Sequence, residues 1–190
     1  MMRFVLASKS PRRLQLLQMI GVKDLLVMPA VGQETVPNLP HDEAIAAVAM
    51  AKAREVSKKC NSGDIIIAAD TLVYLDDKVL GKPENEKEAI EMLHELSGRE
   101  HTVRTGVAVL KDGAGQAETE KSRVLFRRLT DDEVRAYVKT GEPLDKAGAY
   151  GAQGIGALFV EKIDGDFFNV MGLPLCRLNL MLSRFGVPLL

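Results

Sequence analysis

Residues 65–69, three isoleucines followed by two alanines, constrain the fold of this chain more than any other stretch. A run with no polar position reads as a strand buried on both faces, not as a strand with one wet side. Directly after it stands Asp70, and an acid in that place needs a partner or a task. The flanking patterns alternate between helix and strand. Leu14, Leu17 and Ile20 recur three apart before Gly21, which predicts an amphipathic helix over 11–20. A strand at 25–28 and a loop at 32–37 carrying Glu34 precede an alanine-rich helix over 40–59. Ile45, Val48, Ala49, Lys52 and Val56 run along one side of that helix. A lysine on an apolar side ordinarily lies along the surface with its head in water.

Past Val73, residues 75–78 form a tight turn that returns through Val79 and Leu80. A helix over 86–96, apolar at Ala89, Ile90 and Leu93, ends at Ser97-Gly98. Strands at 101–110 and 118–126 are joined by a glycine-containing loop at 111–115. Thr130 and Glu133 form a capping box for a short helix whose inner face is Val134, Tyr137 and Val138. Residues 141–156 are too glycine-rich for a regular element and predict a long structured loop, the kind that carries function. A strand at 158–163, a turn at Asp164-Gly165 and a helix over 175–184 complete the chain. A hairpin together with crossover helices predicts an α/β domain with a mixed sheet. At 190 residues it reads as one domain, 1–190, with two lobes around a cleft.

The opening stretch carries the first chemical signal. Residues 4–7 read as a strand. Ser10 then stands where it can cap the next helix, with Pro11 on the first turn. Arg12 and Arg13 share that turn, although helix N-termini favour acids. Two guanidiniums there cost stability unless an anion joins them, and N–H groups, serines and paired arginines can cradle a phosphate. The competing reading is two solvated arginines on an amphipathic helix.

Composition narrows the classes. A net charge of −1 gives no broad attraction for nucleic acid, so an anion site must be local. Cys60 and Cys176 belong to no CxxC, which fits reduced thiols in a cytoplasmic protein. The apolar run after Arg3 is too short for a signal peptide, and no segment approaches the roughly 20 apolar residues of a membrane span. His41, His94 and His101 lack metal-ligand spacing, and no GxxxxGK[ST] occurs. A nucleophile at Ser8 or Ser10 lacks a histidine in any motif. Gly151-Ala152-Gln153-Gly154-Ile155-Gly156 lacks the strand and helix of a dinucleotide site.

The outliers that remain are four cations at turns or on an apolar face, Arg12, Arg13, Lys52 and Lys82, and two acids beside apolar runs, Glu34 and Asp70. Thr71, Asp145, Lys146 and Gln153 add polar groups near glycines. Together they suggest a metal–polyphosphate site, in which carboxylates, phosphate oxygens and waters hold Mg²⁺ or Mn²⁺.

The blocks Ser8-Lys9-Ser10-Pro11-Arg12-Arg13, Ala69-Asp70-Thr71, Gly81-Lys82-Pro83, Leu96-Ser97-Gly98 with His101, Thr105-Gly106, residues 141–148, Gln153-Gly154 and Gly172-Leu173-Pro174 resemble, in order, those of the Maf family. These are nucleoside triphosphate pyrophosphatases first associated with septum formation, and the resemblance runs from about residue 3 to residue 185. It implies a fold like that of inosine-triphosphate pyrophosphatases, a divalent metal (Mg²⁺, Mn²⁺ or Co²⁺), and release of pyrophosphate and a nucleoside monophosphate. The loop at 145–154 looks like the branch acting on dTTP and UTP, with modified pyrimidine nucleotides as further candidates. Asp70 matches the family's proton acceptor. Arg12, Thr71 and Gln153 match its substrate-selecting positions, and Arg13, Lys52 and Lys82 its phosphate-binding positions. Ser8 and Ser10 join the substrate-binding set, and Glu34 with Asp70 would hold the metal. The family usually has two adjacent acids where this chain has Gln33-Glu34. Two alternatives stay open: a nucleotide-binding regulator of cell division with little turnover, and the branch specific for 7-methyl-GTP. A homodimer is the expected assembly because such dimers are common.

Overall fold

The structure is a computed structural model that describes residues 2–32, 37–187 and 189. A strand buried on both faces needs partners at both edges. The strand β3 (Ile65–Leu75) accordingly lies inside the sheet, between β1 (Phe4–Leu6) and β5 (Glu100–Lys111). The order is β2-β1-β3-β5-β6-β7, with β2 at Leu25–Val27, β6 at Ala114–Phe126 and β7 at Val160–Asp164. The short β4 (Lys78–Leu80) also pairs with β3. β1 runs parallel to β2 and β3, with Val5 opposite Leu26 and Ile66, whereas β3–β4 and β6–β7 are antiparallel. The sheet is therefore mixed, as the alternation of elements predicts.

The chain divides into two compact units, and β3, β5 and β6 each contribute residues to both. The first comprises Met1–Asp70, Thr105–Glu120 and Gly172–Leu190. In it, alternate strand residues Val5 and Ala7, Ile66 and Ala68, and Ala108 and Leu110 share one face. That face packs on Ala49, Ala53 and Val56 of α2 (His41–Ser57). The helix approaches closely enough that a Cβ on Gly106 would lie 2.3 Å from the Ile45 carbonyl oxygen, so only glycine fits. The helix α1 spans Pro11–Met19 and α6 spans Leu175–Arg184. Arg177 of α6 pairs with Glu118 and Glu120 of β6, each at 2.6 Å, and Arg184 also pairs with Glu118.

The second unit comprises Thr71–Arg104 and Lys121–Met171. Asn85 caps α3 (Glu86–Leu96), and Thr130 with Glu133 completes the expected capping box of α4 (Asp131–Val138). The glycine-rich stretch is not one irregular loop. It contains three 3₁₀ turns, at Glu142–Asp145, Ala147–Ala149 and Ile155–Phe159, with Gly141 and Gly148 at positive φ. The last of these takes residues 155–159, so the strand expected from Leu158 begins at Val160. The strand expected from Glu118 begins earlier, at Ala114, because Asp112 and Gly113, both at positive φ, close a two-residue turn. A short helix, α5 (Phe167–Met171), is anchored by buried Asn169, whose Nδ2 donates to Val103 O and Ser122 Oγ.

Aromatic rings fill the middle of this unit. Phe126 meets Tyr150 edge-on with centroids 4.7 Å apart, and Tyr137 meets Phe159 in the same way at 4.9 Å. His101 is buried with them, its Nε2 2.8 Å from the Tyr150 hydroxyl. Burial pushes the His101 pKa down from 6.5 to about 4. The folded state thus resists a proton that the unfolded chain accepts near pH 6.5. Stability is full above that value and falls as the pH drops toward 4. Between pH 7.5 and 5 the loss from this residue should be about 2 kcal/mol. Urea unfolding at the two pH values should show it, and His101→Gln should flatten the difference.

Candidate active site

The arginine turn lies in the first unit, between β1 and α1. Ser8 Oγ accepts from the Ser10 N–H at 3.1 Å and from Arg13 Nη1 at 3.0 Å. With two acceptor positions taken, the Ser8 hydroxyl has its own hydrogen left to donate. Arg13 Nε donates to the buried Gly172 carbonyl at 2.8 Å, which ties the turn to the segment entering α6. Ser10 departs from expectation. It stands at the N-cap position, but its side chain makes no capping hydrogen bond. The Ser8 hydroxyl takes the Ser10 N–H instead, in a local serine turn that precedes the helix. Arg12 follows on the first turn, half-buried, and that turn carries no acid. The positive end of α1 and two guanidiniums therefore coincide.

The same unit joins Lys52 and Asp70. Lys52 Nζ lies 2.7 Å from Asp70 Oδ1, with the two side chains 13% and 14% exposed. The lysine head on the apolar side of α2 therefore points at a carboxylate rather than lying in water. Asp70 does not follow its strand, as the sequence suggests, but sits within it, since β3 continues to Leu75. Burial lapses there: residues 65–69 are buried, 70–72 are intermediate, and 73–75 are buried again. Breaking this pair from either side would strand a charge in a mostly dry place.

A divalent metal at Asp70 would find few protein ligands. Among the described residues no group of three or more histidines, cysteines or acids could hold one. Glu34, the expected second acid, lies outside the described residues. Such a donor set suits a hard cation that draws most of its oxygens from phosphate and water, and does not suit a closed zinc site.

The remaining expected residues belong to the second unit. Thr71 follows Asp70 in β3 and is half-buried. Lys82, exposed, borders a cavity of about 250 Å³ with Gly81, Glu84, Glu88 and Met92. Gly81 O accepts from the Gly148 N–H at 3.0 Å, which links the Lys82 segment to the glycine-rich stretch. Gln153 is exposed between the second and third 3₁₀ turns. Asp145 and Lys146 bond each other at 2.6 Å. Sequence reasoning misses two groups, the Gly172 carbonyl and the Glu142 carboxylate. The first is backbone, and no side-chain pattern announces it. The second was visible as an acid between Gly141 and Pro143 but lacked a partner within its own pattern.

The sequence profile of the family described as Maf-like protein matches residues 3–185, and the chain belongs to that family. It is 45% identical over 195 residues to a dTTP/UTP pyrophosphatase of Caldicellulosiruptor saccharolyticus, covering 100% of this chain and 98% of that protein. A dTTP/UTP pyrophosphatase of Moorella thermoacetica is 47% identical over 189 residues, covering 98% and 97%. Among solved structures, a nucleoside-triphosphatase described as a dITP/XTP pyrophosphatase of Mycobacterium abscessus is 15% identical. It covers 68% of this chain and 76% of that one, with a TM-score of 0.44.

Arg13 spans two acceptors through its fork, which a single ammonium cannot reproduce. Arg13→Lys should cost about 1–3 kcal/mol, the range for losing a charged hydrogen bond to a buried carbonyl. Urea midpoints of wild type and variant measure it, and an unchanged midpoint would show that the Gly172 tie carries no stability.

Proposed function

We propose that this chain hydrolyses nucleoside triphosphates, with dTTP and UTP preferred, to the nucleoside monophosphate and pyrophosphate. One observation carries the reading: the half-buried Lys52–Asp70 pair lies in the same unit as the arginine turn, in a chain whose relatives bear that activity in their names. A carboxylate that can accept a proton and a set of cations that can hold phosphates are the two parts phosphoryl chemistry needs from a protein.

In this reading Asp70 orients the attacking water and accepts its proton. Lys52 has three donors, so it can keep Asp70 in place and still offer a hydrogen to a phosphate oxygen. Arg13 arrives pre-oriented by Gly172, and the Ser8 hydroxyl donates its remaining hydrogen to the same anion. Ser10 and Lys82 complete the phosphate contacts, while Arg12, Thr71 and Gln153 select the base. A divalent cation (Mg²⁺, Mn²⁺ or Co²⁺), held by Asp70 with Glu34, would neutralise charge at the α–β bridge. The reading makes this a nucleotide-pool enzyme of the cytoplasm acting as a homodimer. The unbridged Cys60 and Cys176 support the compartment, and the frequency of twofold assemblies supports the dimer.

Two measurements test it. A panel of triphosphates, with pyrophosphate and monophosphate both quantified, should show dTTP and UTP turned over fastest. A preference for 7-methyl-GTP would overturn the substrate, and binding without turnover would point to a regulator instead. Asp70→Asn should lower kcat by about 10²–10⁴-fold, the range for a lost general base, while nucleotide binding stays measurable by calorimetry. Near-normal turnover would remove Asp70 from the mechanism.

A further inference from the structure

Gln153 is offered above as a base-selecting side chain, yet it is exposed and sits in a stretch with four glycines from 148 to 156. A glutamine amide can tell a uracil or thymine edge from a cytosine edge only if its own backbone is held still. What holds it is a single carboxylate. Glu142 Oε1 accepts from the Tyr137 hydroxyl at 2.9 Å and from the Gly156 N–H at 3.2 Å, and Oε2 accepts from the Ile155 N–H at 3.0 Å. The Tyr137 oxygen in turn accepts from the Gly151 N–H at 3.1 Å. The backbone is therefore tied two residues before Gln153, through Tyr137, and two and three residues after it, directly.

The fit leaves no slack. A Cβ on Gly154 would lie 2.5 Å from both Glu142 carboxylate oxygens, so the chain passes Gln153 pressed against the acid. Both ends of the tie are themselves fixed. Lys146 Nζ donates to the Glu142 carbonyl at 2.6 Å, and the Tyr137 ring is buried edge-on against Phe159. Although burial opposes it, the ring of donors holds the Glu142 carboxyl below its usual range. The phenol of Tyr137 is pushed up, mainly by burial, and stays a donor. At neutral pH the acid accepts and the phenol donates, as the geometry requires.

We propose that Glu142, acting with Tyr137, is a positioning residue for base selection: its carboxylate sets the backbone on either side of Gln153 and so the aim of the Gln153 amide. The proposal rests on the assignment of Gln153 above. The Glu142 carboxylate and carbonyl accept from Tyr137, Ile155, Gly156 and Lys146, all in the glycine-rich stretch or α4, so its effect should fall on which base is accepted rather than on bond cleavage. Sites that read a substrate through hydrogen bonds can discriminate by several orders of magnitude, and misplacing a donor gives much of that away.

The test compares kcat and KM for dTTP and dCTP, whose bases exchange acceptor for donor at the C4 substituent and donor for acceptor at N3, and differ also by the thymine methyl. The proteins are full-length wild type, Gln153→Ala, Glu142→Ala, Tyr137→Phe and the Glu142→Ala/Gln153→Ala double variant, each with its unfolding midpoint. Glu142→Ala should lower the dTTP-to-dCTP ratio of kcat/KM by about tenfold or more, through a higher KM for dTTP, with kcat within about threefold. Tyr137→Phe removes one hydroxyl from an intact ring and should shift the ratio the same way by about threefold or more, so the proposal survives a Glu142 variant that folds poorly. In the double variant the ratio should equal that of Gln153→Ala alone, since both changes act through one side chain.

Equal losses on both nucleotides, or effects that multiply in the double variant, would show a staple for the fold and overturn the proposal. If Gln153→Ala loses the preference while Glu142→Ala and Tyr137→Phe keep it, Glu142 alone is misassigned. If Gln153→Ala keeps the wild-type preference, the assignment of Gln153 fails first and takes this proposal with it.

Discussion

The site depends on a lapse of burial within β3. Five residues of that strand are sealed on both faces, then Asp70, Thr71 and Leu72 are half open, and Val73 to Leu75 are sealed again. A carboxylate in such a window is far from its cheapest environment. Lys52 answers it from α2, and the lysine can do so only because α2 lies close enough to the sheet to touch the Gly106 backbone. Tight helix packing, enforced by alanines and one glycine, thus sets the geometry of the ion pair. Stability alone gives no reason for the arrangement, since a half-buried ion pair roughly breaks even against apolar residues of similar volume.

The arginine turn needs a different weighing once its contacts are known. Cations at a helix N-terminus cost about 0.3–1 kcal/mol each. Arg13's hydrogen bonds to the Gly172 carbonyl and the Ser8 hydroxyl are of the charged kind, worth about 1.5–3 kcal/mol. Its structural ties outweigh the dipole term, so the wrong-signed charge does not by itself call for an anion. The stronger sign is Ser8. A hydroxyl that already accepts twice can only give, and what it gives to must be an acceptor.

How much of this was legible in the sequence follows from the range of each interaction. The isoleucine run, the capping box at Thr130 and the stop at Ser97-Gly98 are local patterns, and the structure repeats them. The apolar side of α2 was legible too, including the oddity of Lys52, but its partner was not, because no periodicity links position 52 to position 70. The tie from Arg13 to Gly172 spans 159 residues and ends on backbone, so no side-chain pattern could announce it. Ser10 looked like the cap because serine before proline usually is one, yet its side chain takes none of the first-turn N–H groups, and its own N–H is bound by a second serine two residues earlier. Residues 141–156 looked irregular because short 3₁₀ turns have no hydrophobic period to detect.

The two polar centres solve the problem of holding a functional group in opposite ways. In the first unit a charged partner does it: Lys52 contacts the Asp70 carboxylate itself, so the group proposed to work is also the group that is held. In the second unit the side chain expected to work is exposed, and the backbone on either side of it is held by Glu142 and Tyr137. The difference follows from the tasks. A carboxylate proposed as proton acceptor must keep its place, and a lysine at 2.7 Å fixes it. A base-reading amide must stay open to a ligand, so a direct protein contact would occupy the atoms it reads with. Holding the chain instead of the side chain leaves that edge available, and it explains why the stretch around Gln153 is rich in glycine yet densely hydrogen-bonded.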